Sequence, residues 1–166
     1  MILRTARLLL RPVQLSDEAV MVRELNDIAV TGWLARVPHP YTAADFQVFA
    51  SELAVAGETF VIEDAGGMAG VIGLETDILG YWLAVGIHGR GYATEAARCV
   101  LEDHFARSDT SVESGYFIGN TRSARVLEKL GFTQTGLGLK HCTALNQDRP
   151  HADLVLTPAA FGRSKA

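Results

Sequence analysis

The chain has 166 residues, a hydrophobic fraction of 48%, a charged fraction of 20% and a formal net charge of −4. This length and composition suit one globular domain over 1–166, and the acidic balance argues against direct binding to nucleic acid. No apolar run reaches the ~18–20 residues of a membrane helix, and the start lacks a signal-peptide layout, so we expect a cytoplasmic protein without a membrane partner.

The first third of the chain predicts a strand, a helix and a loop. Residues 2–11 favour a strand, and a helix is expected at about 17–27 with Ser16 as its N-cap. A loop rich in aromatic and proline residues follows at 31–41. These patterns place the first helix directly before an irregular segment.

A second helix is predicted at about 43–56. Thr42 is placed to cap its first turn, and Gly57 is placed to end it. Tyr41 and Phe46 are expected to pack together across the cap. The predicted buried stripe of this helix consists of Phe46, Phe49, Ala50 and Leu53.

The rest of the chain alternates between strand and helix signals. Strand patterns, short and rich in β-branched or aromatic residues, occupy 59–63, 68–75, 79–85, 112–118, 132–144 and 152–157. Helices are predicted at 92–107 and at 121–130, the second closed by Gly131, and 162–166 look like a loose tail.

The order of these elements predicts the fold class. The strands at 79–85 and 112–118 are joined through a helix and should run parallel, whereas neighbours with short links should be antiparallel. The chain therefore predicts an α/β (α+β) fold with a mixed, mostly antiparallel sheet and helices on both faces.

The junction between the strand at 79–85 and the next helix is rich in glycine. Gly86, Gly89 and Gly91 allow close approach of the backbone to a ligand, and the helix start offers unpaired N–H groups at the positive end of its dipole. Such a junction suits a phosphate or pyrophosphate. On glycine spacing alone, a tight turn without a ligand explains it equally well.

Other phosphate-binding loops fit this junction poorly. A P-loop needs Gly-Lys-Ser/Thr, whereas Tyr92 and Ala93 follow Gly91. A dinucleotide fingerprint beginning at Gly89 needs glycine or alanine at the position of Thr94.

Two motifs give the chain a specific family resemblance. The segment His-Gly-Arg-Gly-Tyr-Ala-Thr-Glu-Ala at 88–96 resembles the acetyl-CoA loop of the GNAT N-acetyltransferases, although His88 stands where Gln or Arg is usual. The segment Asn-Thr-Arg-Ser-Ala-Arg-Val-Leu-Glu-Lys-Leu-Gly-Phe at 120–132 resembles the second signature of the RimJ/RimL branch, which acetylates ribosomal-protein N-termini. Residues 6–12 and 38–41 also resemble that branch, so the likeness covers nearly the whole chain.

The resemblance implies acetyl-CoA as the co-substrate and no metal. The parallel strands would splay apart to admit the pantetheine arm, which would pair with the strand before the loop, and the loop amides would hold the pyrophosphate. The implied donor site consists of Leu83, Ala84, Val85, His88, Gly89, Arg90, Gly91, Tyr92, Ala93, Thr94, Glu95, Asn120 and Ser123. Asn120 is equally well explained as a plain N-cap.

Catalytic roles follow from the same resemblance. The N–H of Leu83 would stabilise the oxyanion, and Ser123 would hydrogen-bond the departing thiolate, because Leu127 stands where many relatives place a tyrosine acid. Independently of the resemblance, Glu75 is the candidate general base from its place near the end of its strand, acting directly or through water, with Asp77 as the runner-up. A surface carboxylate beside a turn is the alternative for Glu75, and a satisfied buried hydroxyl is the alternative for Ser123.

The loop at 31–41 is the expected acceptor side. Trp33, His39 and Tyr41 should border the amine site, with ordinary packing as the open alternative. We expect purely structural roles for three histidines of the second half of the chain, His104, His141 and His151. Both cysteines should be reduced thiols, since Cys99 and Cys142 lack metal-ligand spacing.

The leading prediction is an N-acetyltransferase that moves an acetyl group from acetyl-CoA to a primary amine by direct attack on the thioester. The acceptor is expected to be a protein N-terminus or a small molecule, and the enzyme a monomer or homodimer. The alternative is a catalytically weak GNAT-like module that senses acyl-CoA, because Ile78 stands where relatives often carry an acidic residue. A nucleotide-binding domain of another fold is the third reading.

Overall fold

The computed structural model describes residues 1–165 and contains one eight-stranded sheet flanked by helices. The strands are β1 (Leu3–Arg4), β2 (Leu9–Arg11), β3 (Thr59–Asp64), β4 (Gly67–Glu75), β5 (Ile78–Leu83), β6 (Val112–Phe117), β7 (Thr133–Cys142) and β8 (Gln147–Leu156). The helices are α1 (Glu18–Leu25), α2 (Ile28–Thr31), α3 (Ala43–Val48), α4 (Tyr92–Phe105), α5 (Thr121–Leu130) and α6 (Pro158–Ser164).

The strand order is β1-β2-β3-β4-β5-β6-β8-β7, and every neighbouring pair is antiparallel except β5 and β6. Within residues 1–165, β5 and β6 pair only at Ile78 and Glu113, next to a hydrogen bond from Ser114 Oγ to the Leu79 carbonyl. Beyond that bridge the two strands diverge. The predicted mixed sheet with one splayed parallel pair is therefore confirmed.

Side-chain alternation divides the sheet into two faces. On the face called here the α4 face, Leu79, Tyr81 and Leu83 pack into the larger core with α4, α5 and α6. On the opposite α1 face, Trp82 packs with the smaller core formed by α1, α2 and α3. The splay between β5 and β6 thus opens onto both faces at the centre of the sheet.

Several element boundaries differ from the sequence prediction. The segment 2–11 is a short hairpin, because the Thr5 N–H and hydroxyl turn back to the Leu8 carbonyl. The turn before α1 is capped by Gln14 and not by Ser16, through a reciprocal bond with Asp17. At the other end of the chain, residues 158–164 form α6. The prediction of a loose tail over 162–166 was therefore wrong for 162–164, and residue 166 lies outside the described residues.

The second helix was predicted well at its start and poorly at its end. Thr42 caps α3 in a capping box with Asp45, as expected. The helix continues as a π-helical turn and stops at Leu53, whose side chain is exposed, before Gly57 is reached. Tyr41 and Phe46 lie in the same core cluster.

Helix α5 is held at both ends by the residues the sequence indicated. Asn120 Oδ1 accepts the Ser123 N–H at 3.2 Å, and Gly131 ends the helix with a left-handed φ of 94°. This fixes Ser123 at the first turn of α5, next to the splay. No helix in residues 1–165 is long and apolar enough to span a bilayer.

Candidate active site

A groove of about 1160 Å³ follows the splay between β5 and β6. On the α4 face its wall is formed by strand β5 and by the starts of α4 and α5. The predicted donor residues in that wall are Leu83, His88, Gly89, Gly91, Tyr92, Ala93, Thr94, Asn120 and Ser123. Three basic side chains of α5 also line it, those of Arg122, Arg125 and Lys129. The groove thus brings most of the predicted donor residues together.

The loop between β5 and α4 leaves a row of amides open. Gly89 and Gly91 have left-handed φ angles of 82° and 79°, which turn the chain into α4. The first bond of the helix runs from the Glu95 N–H to the Gly91 carbonyl. The N–H groups of Tyr92, Ala93 and Thr94 therefore have no acceptor in the helix and suit an anion.

Other backbone groups of the predicted loop are already used. The His88 N–H donates to the Val85 carbonyl. The Ala84 N–H donates to the Ala69 carbonyl, and the Ala84 carbonyl accepts the Ile87 N–H. The groove wall within residues 1–165 does not include Ala84, Val85, Arg90 or Glu95. The row of available amides is therefore shorter than the sequence suggested.

The Glu95 side chain serves the loop in another way. Its carboxylate accepts the Thr5 hydroxyl at 2.5 Å and the Arg7 Nε–H at 2.7 Å. Arg7 also donates to the Arg90 carbonyl at 3.0 Å and lies 4.8 Å from the Tyr92 ring centroid. Burial raises the pKa of Glu95, but the hydrogen bonds from Thr5 and Arg7 outweigh it and hold the pKa below its usual value. Glu95 thus ties the N-terminal hairpin to the loop.

His88 connects the loop to both sides of the groove. One ring nitrogen, Nε2, lies 3.0 Å from the Leu83 carbonyl, and the other, Nδ1, lies 3.1 Å from Arg122 Nη1. A carbonyl only accepts and a guanidinium only donates, so the ring carries its proton on Nε2. His88 therefore holds the end of β5 against the loop and the start of α5.

The Leu83 N–H faces the splay. In an antiparallel pair the polar groups of successive residues point to opposite sides of the strand. Because the Ala84 N–H donates to Ala69 on the β4 side, the N–H of Leu83 points toward β6. Leu79 shows the same direction, since its carbonyl accepts from Ser114 of β6.

Tyr81 of β5 adds a hydroxyl to the groove. Its phenol oxygen lies 2.8 Å from Ser123 Oγ, so the two side chains join β5 to α5 across the groove. Burial raises the pKa of Tyr81 to about 12, and the phenol is protonated at neutral pH. Alternation with Leu83 would have put Tyr81 on this face, but nothing local indicated its partner.

Glu75 lies away from this constellation. It pairs with Ile78 at the far end of β5, five residues or about 16 Å along the strand from Leu83. Its carboxylate accepts the Thr59 hydroxyl. Asp77 lies at the same end and lines a separate cavity of about 250 Å³. The structure therefore does not bring either predicted base to the groove.

On the α1 face, only one of the three predicted acceptor residues reaches the groove. Trp33 lines it, while His39 is exposed away from the wall and Tyr41 is buried in the core beneath α1 and α3. The Arg149 guanidinium is stacked between Trp33 and Phe117, 4.7 and 4.9 Å from their ring centroids. Packing, the alternative left open, accounts for Tyr41.

Two further groove residues were given structural roles or overlooked. His151 and Asp153 of β8 line the α1 side and form a pair, with Nδ1 and Oδ1 3.0 Å apart. His151 was expected to be an ordinary strand residue. No local signal marked it, since its position depends on pairing between β8 and β6.

This geometry agrees with comparisons to known proteins. Residues 7–133 match the model of the acetyltransferase (GNAT) domain family. The chain belongs to the GNAT acetyltransferase family. The splay, the open amides of α4 and the capped start of α5 are thus features of a GNAT domain in this chain.

Individual relatives agree with the assignment to the GNAT family. The probable N-acetyltransferase YjcK of Bacillus subtilis is 38% identical over 69 residues, a match covering 41% of this chain and 38% of that protein. Mycobacterium smegmatis RimJ, solved in complex with CoA-disulfide, is 26% identical with a TM-score of 0.77, covering 98% of this chain and 91% of that one. A GNAT-family acetyltransferase of Bacillus anthracis has a TM-score of 0.80 at 21% identity, covering 95% and 98%, and shares the fold.

Proposed function

We propose that this chain transfers an acetyl group from acetyl-CoA to a primary amine. The observation that carries the proposal is the continuity of the groove, which runs from the open amides of Tyr92, Ala93 and Thr94 to the inward-facing N–H of Leu83. The amides suit the pyrophosphate, and an N–H pointing into the splay suits the oxyanion formed on a thioester carbonyl. Membership of the GNAT family and the CoA-disulfide bound by the related RimJ support this donor.

Within this proposal the α4 face receives the donor and the α1 face receives the amine. Arg122, Arg125 and Lys129 offer positive charge to the donor phosphates, and the Ser123 hydroxyl lies where a departing thiolate needs a hydrogen bond. Trp33 borders the opposite opening. A protein N-terminus or a small amine fits as acceptor, in a RimJ/RimL-like enzyme located in the cytoplasm.

The donor side is tested by titration calorimetry with CoA on Gly91→Val. A β-branched residue at a φ of 79° is strained by about 1–3 kcal/mol, so the loop should lose the conformation that exposes its amides. We expect CoA affinity to fall on the order of tenfold or more, since tenfold corresponds to about 1.4 kcal/mol.

Gly86→Val is the matched control, because Gly86 lies in the same loop without a left-handed φ and a Cβ there meets open space. A folded Gly91→Val protein with the affinity of the Gly86→Val control would remove the loop from the donor site. Mass spectrometry of wild-type protein with acetyl-CoA and pooled amines tests turnover. Binding without any acetylated product would identify the sensing module instead.

A further inference from the structure

The acceptor amine needs a proton acceptor on the α1 face. An alkyl ammonium has no lone pair, so it must lose a proton before it attacks a thioester. Glu75 and Asp77 lie at the remote end of β5, as described above. The side chains that line the α1 side of the groove are therefore the candidates for accepting this proton.

Strand pairing identifies those side chains. Gly115 of β6 lies opposite Asp153 of β8, and Phe117 lies opposite His151. Directly paired residues project to the same face. Phe117 stacks on Arg149, which in turn stacks on Trp33, so this set lies on the face that the acceptor loop covers.

The imidazole of His151 is fixed on three sides. Its Nδ1 lies 3.0 Å from Asp153 Oδ1, and its ring meets Phe117 edge-on with centroids 5.4 Å apart. A Cβ on Gly115 would lie 2.3 Å from His151 Cε1 and 2.9 Å from Nε2. The ring edge carrying Nε2 therefore occupies the space that the glycine leaves, and it points toward the splay.

The bond to Asp153 also sets the tautomer. An ionised carboxylate only accepts, so Nδ1 carries the proton and the lone pair of the neutral ring lies on Nε2. Within residues 1–165, Nε2 has no protein hydrogen-bond partner. Every fully buried side-chain nitrogen or oxygen in those residues does have a partner, so Nε2 is not fully buried. The Nε2 lone pair therefore opens into the groove.

Burial, more than the surrounding charges, favours the neutral form of His151. Burial lowers its pKa and Lys140 of β7 lowers it further, while Asp153 raises the pKa without offsetting both. Glu113 of β6, Arg149 of β8 and Arg36 of the loop at 31–41 are further charged groups on this side of the groove. The pKa of His151 therefore lies below the ordinary value of about 6.5, so the imidazole is neutral in most molecules at pH 7.

The floor of the groove next to the ring is open. Counting two residues along each strand from the bridge between Ile78 and Glu113 puts Gly80 of β5 level with Gly115. Gly80 is exposed, and a Cβ there would meet nothing within 4 Å. An amine entering over Gly80 would face the His151 edge from across the splay.

We infer that His151 is the general base of the reaction, accepting a proton from the acceptor ammonium on Nε2 while Asp153 holds the ring. This inference rests on the proposed acetyl transfer. The neutral amine then forms the C–N bond, the C–S bond breaks, and sulfur leaves as the thiolate. The nitrogen releases its second proton to water, and His151 returns the first to solvent.

The test compares pH–rate profiles of wild type, His151→Gln and Asp153→Asn, using the best amine found in the pooled screen. We expect His151→Gln to lose roughly 10²–10⁴-fold in kcat/KM at pH 7. The acidic limb of the wild-type profile, at a pH below about 6.5, should disappear with it. Asp153→Asn should move that limb to lower pH, because the carboxylate raises the pKa of His151.

His141→Gln is the matched control. His141 also pairs with an aspartate, with Nδ1 2.9 Å from Asp148 Oδ1, but both side chains are exposed near the tip of the β7–β8 hairpin. CoA affinity and Tm should be close to wild type in all three variants. A His151→Gln protein with the rate and acidic limb of the His141→Gln control overturns the inference, as does a loss of rate that only follows a lower Tm and leaves the limb in place.

The same experiment separates the two proposals. Wild-type protein that binds CoA and acetylates none of the amines overturns acetyl transfer and the role of His151 together. Active wild type with an unaffected His151→Gln variant overturns the role of His151 alone.

Discussion

In the proposed reaction, the hydroxyl pair of Tyr81 and Ser123 would offer a hydrogen-bond donor to the developing thiolate. Serine is a poor acid, but its O–H becomes a better donor when its oxygen accepts from a phenol. Because burial raises the pKa of Tyr81 to about 12, the phenol keeps a proton that it can donate throughout the range in which an enzyme is assayed. In the proposed reaction the pair would supply a hydrogen bond without full proton transfer to sulfur, because the pKa of a thiol is only about 8.5.

We predict that Ser123→Ala lowers kcat on the order of 10- to 100-fold, below the usual range for a true general acid. Tyr81→Phe should give a smaller loss, since Ser123 keeps its own proton. CoA affinity should fall less than kcat in both, because the loop amides stay in place. Steady-state kinetics, calorimetry and Tm on each variant check this. A stable Ser123→Ala protein with wild-type kcat, chemistry being rate-limiting, would contradict the role.

At the residue scale, sequence patterns predicted those groups whose position depends only on the backbone of one local segment. The left-handed glycines, the cap at Asn120 and the direction of Leu83 follow from a strand, a turn and a helix adjacent in the chain. Pairings such as Tyr81 with Ser123 join residues 42 positions apart. No periodicity within either segment encodes such a contact, so this pair of hydroxyls could not be predicted from the sequence.

At the scale of elements, the loop at 31–41 takes its position from the β7–β8 hairpin. Arg149 donates to the Gly32 carbonyl, and the Thr143 N–H and hydroxyl both donate to the Ala35 carbonyl, at 3.0 and 2.9 Å. Cys142 is fully buried against the same loop backbone. A segment more than 100 residues downstream thus shapes the opening that we propose for the acceptor.

We predict that Trp33→Ala raises the acceptor KM on the order of tenfold with CoA affinity unchanged. The substitution removes the ring from Arg149, and a desolvated cation–π contact is worth up to about 2 kcal/mol. His39→Ala is the control from the same loop, because His39 is exposed and outside the groove wall. Equal acceptor KM values for the two variants would make the loop purely structural.

The strands and helices were mostly predictable because their core stripes and caps are local. The errors lie at ends, where capping and packing compete. Gln14 replaces Ser16 as the cap through its bond with Asp17, and the helix after Thr42 ends at Leu53, whose side chain has no core to enter. Glu75 lies outside the groove for a different reason. It was suggested by its place near a strand end, whereas the groove takes its α1 side from β8.

At the scale of the whole molecule, the splay is a passage through the sheet. The loop proposed to bind the donor lies at the α4 opening, and Trp33 and His151 lie at the α1 opening. Neither thiol of residues 1–165 lines this passage, since Cys99 lies on α4 and Cys142 lies beneath the loop at 31–41. The passage therefore offers no cysteine that could carry the acetyl group as a covalent thioester intermediate between the two substrates.

The consequence is kinetic. If both substrates must occupy the passage together, initial-rate plots at several fixed amine concentrations should converge, as they do for a ternary-complex mechanism. Enzyme mixed with acetyl-CoA alone should release no stoichiometric burst of CoA, and intact mass should show no added acetyl group. Parallel plots with a burst and an acetylated protein would mean that the acetyl group is first stored on the enzyme. A single opening would allow the substrates to take turns, whereas a passage open at both ends lets them meet.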